Sequence, residues 1–437
     1  MNLIGNINAI PFRRFRGGGG VSPIPPFPSI SGMIARYSAL GLTNEQMAAN
    51  PVWVDKTGNG HDLQMKNFAW KEGSGISDIY PGAFVFDGVD DYGVCNNFPI
   101  LTKEKGYTVV ALRQWITRGE GALGLVSNIK DWFNDGAFLL EYRNIQADYF
   151  NSPMSFGALG SEKDLPHILT YQTSKSYNGV SIIIGNFTGT DVLYVGKLAT
   201  RNVGICINAA IWELVFLDHD ATEEELTKIK DYFVKTYPWL FPDQAWTVVG
   251  KTNEDEDRAT IANITGNGND LVLSNFGFAE GSGYNEEGEY AGYLVTDGVD
   301  DSGRVVGLTI SKDFTLVGEW ILFSKTLVNA GLAIHPQIHI FNRPEAIQIT
   351  FRTAYKTLPV KSLKVICSDG RCYDENWNEF KINVGEFISS NGVLYVASNG
   401  TYHAQIAFKN LGIYNDQIFS KDDCIKAYNY LQTLKAK

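Results

Sequence analysis

The densest groups of side chains able to do chemistry are two acidic turns, Asp87-Gly88-Val89-Asp90-Asp91 and Asp297-Gly298-Val299-Asp300-Asp301. Clustered carboxylates can hold calcium, and a pair about 5 Å apart can act as acid and nucleophile on a glycosidic bond. They can also accept backbone N–H groups and pin a tight turn. Occurrence of the same five residues twice favours the structural role, so calcium is possible but not required and no metal site is assigned. The runs Glu254-Asp255-Glu256-Asp257 and Glu286-Glu287-Gly288-Glu289 lie before a turn and among glycines, which reads as solvated loop. No GxSxG, Walker or HExxH pattern occurs. His335 and His339 are four apart, but Pro336 and the apolar alternation around them predict a strand rather than a metal-binding helix. Cys367 and Cys372 have no second pair beside them, so zinc is not expected. The five cysteines read as buried thiols, not as a disulfide framework. The protein is expected not to be an enzyme.

Glycan recognition asks for less: a ring to stack on a sugar face, with amides and carboxylates for its hydroxyls. Two loops have that composition. One offers Asn128, Asp131, Trp132 and Asn134; the other offers Asp369, Arg371, Tyr373, Asp374 and Trp377. The candidate carbohydrate-binding residues are Asn128, Asp131, Trp132, Tyr373, Asp374 and Trp377. The alternative is that each aromatic packs under its own loop or at a subunit contact. The two loops do not correspond between the halves, which predicts divergent roles.

The elements that must position these loops are repeated. Thr57–Gly75 aligns with Thr265–Gly283, with twelve of nineteen residues identical at a constant offset of 208. Further pairs follow: the two DGVDD turns, the runs from Tyr107 and Phe314, NGVSIII from Asn178 with NGVLYVA from Asn391, and the runs from Ala210 and Ala407. Each half closes with a helix signal. Thr222 and Glu225 form a capping box before Leu226, Ile229 and Phe233; Ser420 and Asp423 precede Cys424, Ala427 and Leu431. Between these landmarks lie short Val-, Ile-, Phe- and Tyr-rich runs broken by Gly, Asn and Asp, which reads as an antiparallel sandwich. Gly58 and Gly60 suit a turn with positive φ. This is a tandem duplication.

Residues 1–30 stand apart. Phe12, Arg13, Arg14, Phe15 and Arg16 run into four glycines and then Pro23, Pro25, Pro26 and Pro28. The composition reads as a flexible hinge and a stiff extended segment, either a disordered tail or an anchor arm that orders against a partner. Domains are placed at 31–240 and 245–434, joined across Pro238 and Pro242. With 44% apolar and 19% charged residues the chain can bury sizeable cores. Its net charge of −11 and pI near 5.1 argue against nucleic-acid binding. No apolar run reaches the ~18 residues of a membrane span. The basic residues of the arm follow its short apolar stretch, unlike an export signal, which predicts synthesis in a reducing cytoplasm or release by lysis.

The order of landmarks resembles the concanavalin A-like (laminin-G-like) jelly-roll modules: a TGNG turn, a strand ending in Phe86-Asp87-Gly88-Val89-Asp90-Asp91-Tyr92, a closing strand and a short helix. In the second half Thr296 and Ser302 replace the phenylalanine and tyrosine. The resemblance implies an all-β fold of two tandem jelly-roll sandwiches, each closed by a short C-terminal helix, behind an extended N-terminal arm. Glucanases of this fold carry an E-x-D-x-E strand, which neither half offers. With Thr43-Asn44-Glu45 and Thr252-Asn253-Glu254, the details look most like tandem modules in virion proteins of tailed bacteriophages of gut bacteria. That resemblance implies a head or tail fibre or decoration protein, assembled in the host cytoplasm and exposed on the virion. The arm, through Phe12 to Arg16, would bind capsid or tail proteins, and the sandwiches would bind host surface polysaccharide, in a homo-oligomer without membrane insertion. The alternatives are a purely structural spacer and a polysaccharide-degrading enzyme.

Overall fold

The computed structural model describes residues 24–100, 106–117, 123–128, 139–143, 147–152, 155–158, 166–172, 190–197, 206–323, 328–335, 338–343, 346–351, 354–360, 362–384, 387, 389–398 and 401–436. The chain divides into two compact units that separate between Tyr237 and Pro238. Each is an all-β jelly-roll sandwich closed by a C-terminal helix.

In the first unit one sheet orders its strands His167–Gln172, Thr108–Trp115, Asn208–Leu217, Phe84–Asp87 and Gly75–Ile76, with Met33–Ser38 also paired to Asn208–Leu217. The facing sheet runs Ser155–Ala158, Ala147–Ser152, Leu139–Arg143, Leu123–Ser127, Leu193–Val195, Tyr92–Cys95, Leu63–Lys66 and Val52–Trp53. All pairings are antiparallel, and alternate residues meet in a core built on Tyr37, Trp53, Phe84, Phe86 and Phe216.

The second unit repeats this order strand for strand. Gly283–Asn285, Tyr293–Val295, Ile406–Asn415, Phe314–Leu322 and Leu363–Cys367 form one sheet, extended by Arg371–Asp374 and Glu379–Lys381. The other sheet runs Thr260–Ile261, Leu271–Ser274, Ser302–Ile310, Ser390–Val396, Val328–His335, Ile338–Arg343, Ala346–Phe351 and Ala354–Leu358. Between them Trp246, Phe314, Trp320, Leu394 and Phe408 are buried. One landmark pairing is corrected by this order. The Ser390–Val396 strand corresponds to Leu193–Val195, so its partner sequence is the Val-Leu-Tyr-Val of 192–195 and not the run from Asn178.

The short helix α1 (Asn44–Ala49) and the closing helix α2 (Glu223–Thr236) both start in capping boxes, at Thr43 with Gln46 and at Thr222 with Glu225. The second unit's helix α3 (Lys421–Gln432) is capped by Ser420. Leu226, Ile229 and Phe233 of α2, and Cys424, Ala427 and Leu431 of α3, are the buried stripes the spacing predicts. All five cysteines are buried and free. No helix among the described residues is long and apolar enough to cross a membrane.

Beneath α2, Arg36 donates to both oxygens of the fully buried Glu213, at 3.1 Å each, and to the Tyr232 hydroxyl at 2.7 Å. Tyr237 donates to the same carboxylate at 2.8 Å. Phe27 lies 4.2 Å from the guanidinium and meets the Tyr232 ring edge-on, which ties residues near the start of the described chain to this unit. Burial pushes the Glu213 carboxyl up, and the adjacent guanidinium pulls it back toward the charged form. Removing one partner of such a pair leaves a buried charge uncompensated, at a cost of about 3–5 kcal/mol. Arg36→Met should therefore lower the denaturant midpoint of the first unit sharply, while Arg36→Met with Glu213→Leu should recover most of the loss. Equal loss in the single and double variants would contradict this account.

Candidate functional site

The acidic turns are built alike in the two units. The Asp87 carboxylate accepts the N–H of Val89 at 2.7 Å and of Asp90 at 3.3 Å, and Asp91 accepts the N–H of Asp87 at 3.0 Å. Asp297 and Asp301 repeat these bonds on Val299, Asp300 and Asp297. In each turn the three carboxylates lie within 4.8 Å of one another. Two of them spend an oxygen on the turn's own backbone, so the geometry is explained without an ion. Calcium would take the remaining oxygens. The TGNG turns are likewise internal: Gly58 and Gly60 have φ near +81° and +82°, and the Asn59 side chain donates to the carbonyls of Met33 and Ile34.

The two candidate loops fare differently. Asp131 and Trp132 lie outside the described residues, as do Phe12, Arg13, Arg14, Phe15 and Arg16. Asn128 is buried, and its carbonyl accepts from the Thr190 amide and hydroxyl. Tyr373, Asp374 and Trp377 come together at the hairpin joining Arg371–Asp374 to Glu379–Lys381. The Asp374 carboxylate accepts the N–H groups of Asn376 and Asn378 and the Asn378 amide. Tyr373 is fully buried and donates to Glu379 at 2.9 Å. Trp377 is half-buried; its ring meets Tyr428 of α3 edge-on at 5.6 Å, with the Lys364 ammonium 5.0 Å from its centre. Desolvation lowers the pKa of that lysine. A polar cleft lined by Asp243, Asn267, Asn269, Thr309 and Asn415 is also largely self-satisfied, since Asn267 and the Asn415 amide both donate to Asp243.

Among the described residues, a set of ring-bearing side chains lies on the outer face of the second unit's other sheet. Register places one residue from each of its eight strands in a single row: Thr260, Val272, Arg304, Tyr395, Ala333, His339, Thr350 and Tyr355. Directly opposed residues in antiparallel pairs share a face. Their chain neighbours Leu394, Val396, Ile338, Ile340, Ile349 and Phe351 are all buried, so the row faces outward. Arg304 and Tyr355 are exposed, the latter at 72%, while Tyr395, His339 and Thr350 are half-buried. Rings thus stand on every second strand, separated by Ala333 and Thr350. Strands are about 4.8 Å apart, so consecutive rings are about 10 Å apart. Phe341 widens the platform beside His339, with ring centres 5.5 Å apart. The Arg304 guanidinium sits 5.8 Å from the Tyr395 ring.

No protein-family model matches this chain, and no curated protein matches it. Among solved structures it is similar to the Trypanosoma rangeli sialidase in complex with 2,3-difluorosialic acid, at 13% identity and a TM-score of 0.34. That match covers 49% of this chain, which spans about a third of the sialidase's length (35%). It is similar to domain 4 of an extracellular GH43 arabinanase from Geobacillus stearothermophilus in complex with arabinotriose, at 12% identity and a TM-score of 0.27, over 45% of this chain and 97% of that domain. A third likeness is to the binding domain of botulinum neurotoxin DC in complex with SialylT, at 10% identity and a TM-score of 0.32, over 87% and 98%.

Burial pushes the Asp91 carboxyl up to about 6 from an ordinary value near 3.8. The folded first unit therefore holds a proton that the unfolded chain releases between about pH 4 and 6, and this group's contribution to stability falls as pH rises through that window. Asp91→Asn keeps an acceptor for the Asp87 N–H and should flatten that part of the slope in denaturant titrations at pH 4 and pH 6. An unchanged slope would mean that Asp91 does not titrate there.

Proposed function

We propose that the protein is a non-enzymatic adhesive module that binds extended glycans on the outer sheet face of its second unit. The observation that carries the reading is the row Tyr395–His339–Tyr355. Rings stack on sugar faces, and a spacing of about 10 Å on alternate strands matches about two sugar units of an extended chain. The small intervening residues leave a shallow track between the rings. Gln348 and Thr357 pair in the neighbouring register beside Phe341 and can serve sugar hydroxyls. The reading assigns no catalytic residue, because the close carboxylates are committed to their turns.

The wider setting is part of the same proposal. The tandem modules resemble those of tailed-phage virion proteins, and a lysing phage exposes its proteins without secretion. On this reading residues 1–30 fix the protein to the capsid or tail, and the sandwiches project toward polysaccharide on the host. Several copies on one particle convert weak sites into strong attachment.

Glycan-array binding of the full chain tests the site. Tyr395→Ala and Tyr355→Ala should each weaken binding about tenfold or more, the equivalent of ~1.4 kcal/mol, while Trp377→Ala should leave it unchanged. Loss confined to Trp377→Ala would move the site to the hairpin, and silence of the wild-type chain across a broad array would favour a structural spacer.

A further inference from the structure

Charge carries the reading of this face further. The eight strands of the sheet contain no aspartate or glutamate, although the chain has 48 acidic residues against 37 basic ones. In the outward row the same strands carry Arg304 and His339. Both neighbouring standards differ. The facing sheet of the same sandwich contains Glu319, Asp374 and Glu379, and the corresponding sheet of the first unit contains Glu141 and Asp148. Where Arg304 stands opposite Tyr395 in the second unit, Val94 stands opposite Tyr194 in the first. On a protein of net charge −11, a face whose strands carry no acid and which exposes Arg304 is complementary to an anion.

We infer that the glycan is anionic, an extended polysaccharide bearing carboxylates such as a polyuronate. The inference rests on the glycan-binding reading and specifies its ligand. A uronate presents a C–H face that stacks on a ring and a carboxylate at the edge of the sugar. Arg304 is exposed and set beside the Tyr395 ring, so its planar fork can take that carboxylate with two parallel hydrogen bonds. His339 stands in the same row, three strands from Arg304. Single-stranded nucleic acid shares the combination of stacking rings and negative charge, but the net charge of the whole protein repels a polyanion whose charge is that dense. A polysaccharide that carries a carboxylate on alternate sugars, as hyaluronan does, is less densely charged and meets less of that repulsion.

The test uses the full chain in titrations against polygalacturonate and hyaluronan, each paired with its carboxyl-reduced neutral form, and against a thymidine oligonucleotide. The acidic polymers should bind about tenfold or more tightly than their reduced forms, with the gap shrinking as salt rises from about 0.05 to 0.5 M. Arg304→Gln should close most of that gap by weakening the acidic polymers far more than the reduced forms. Equal binding of acidic and reduced forms would overturn the anionic ligand and leave the glycan reading standing. Binding of neither form would overturn both, and tighter binding of the oligonucleotide would overturn the polysaccharide.

Discussion

Antiparallel register is the constraint on which the account of this protein rests. In the second unit's outer sheet the core residues and the row residues alternate along every strand, so a slip of one residue would bury Tyr395 and His339 and expose Leu394 and Ile338. The burial of Leu332, Ile340, Ile349, Phe351, Leu394 and Val396 in one core is what forbids that slip. The same hydrophobic burial that stabilises the sandwich thus fixes the spacing of the rings outside it. The ring spacing is a by-product of core packing, and it needs no loop to be held in place. The bulge in the Ser302–Ile310 strand lies between Val306 and Leu308, past Arg304, and so leaves the row intact.

The two units share a duplicated framework and differ in what they build on it. Both keep the DGVDD turn, the TGNG turn and the capped closing helix, which stabilise the chain locally. They diverge where packing allows it. Glu213 with Arg36 in the first unit corresponds to Asn410 with Ala245 in the second, so a buried ion pair and a neutral amide occupy one place in the fold. Among the described residues the hairpin that carries Trp377 is seen in the second unit, and its ring packs toward α3. The second unit's other sheet has no acidic residue on its strands, where the first unit's sheet has Glu141 and Asp148.

Much of the fold was legible in the sequence because duplication made it so. A turn seen twice, at one offset and with the same glycines, is a structural requirement, and the φ values at Gly58, Gly60, Gly266 and Gly268 bear that reading out. Capping residues were equally legible, since Thr222 with Glu225 needs only local spacing. The outer row was not. His339 and Tyr355 lie on successive hairpins, but Tyr395 comes from a strand much later in the chain, and strand alternation says only that each faces outward or inward. Which residues stand side by side depends on pairing across the sheet, and no local signal encodes that. Attention to polar aromatic loops instead singled out Tyr373 and Asp374, whose polar atoms serve their own hairpin.

The most direct test of the central claim is carbene footprinting of the full chain with and without a saturating acidic polysaccharide. Peptides containing Ser390–Val396, Ile338–Arg343 and Ala354–Leu358 should be shielded together, with labelling of the Trp377 hairpin unchanged. Shielding of that hairpin or of the first unit, with these three strands labelled as before, would contradict the account.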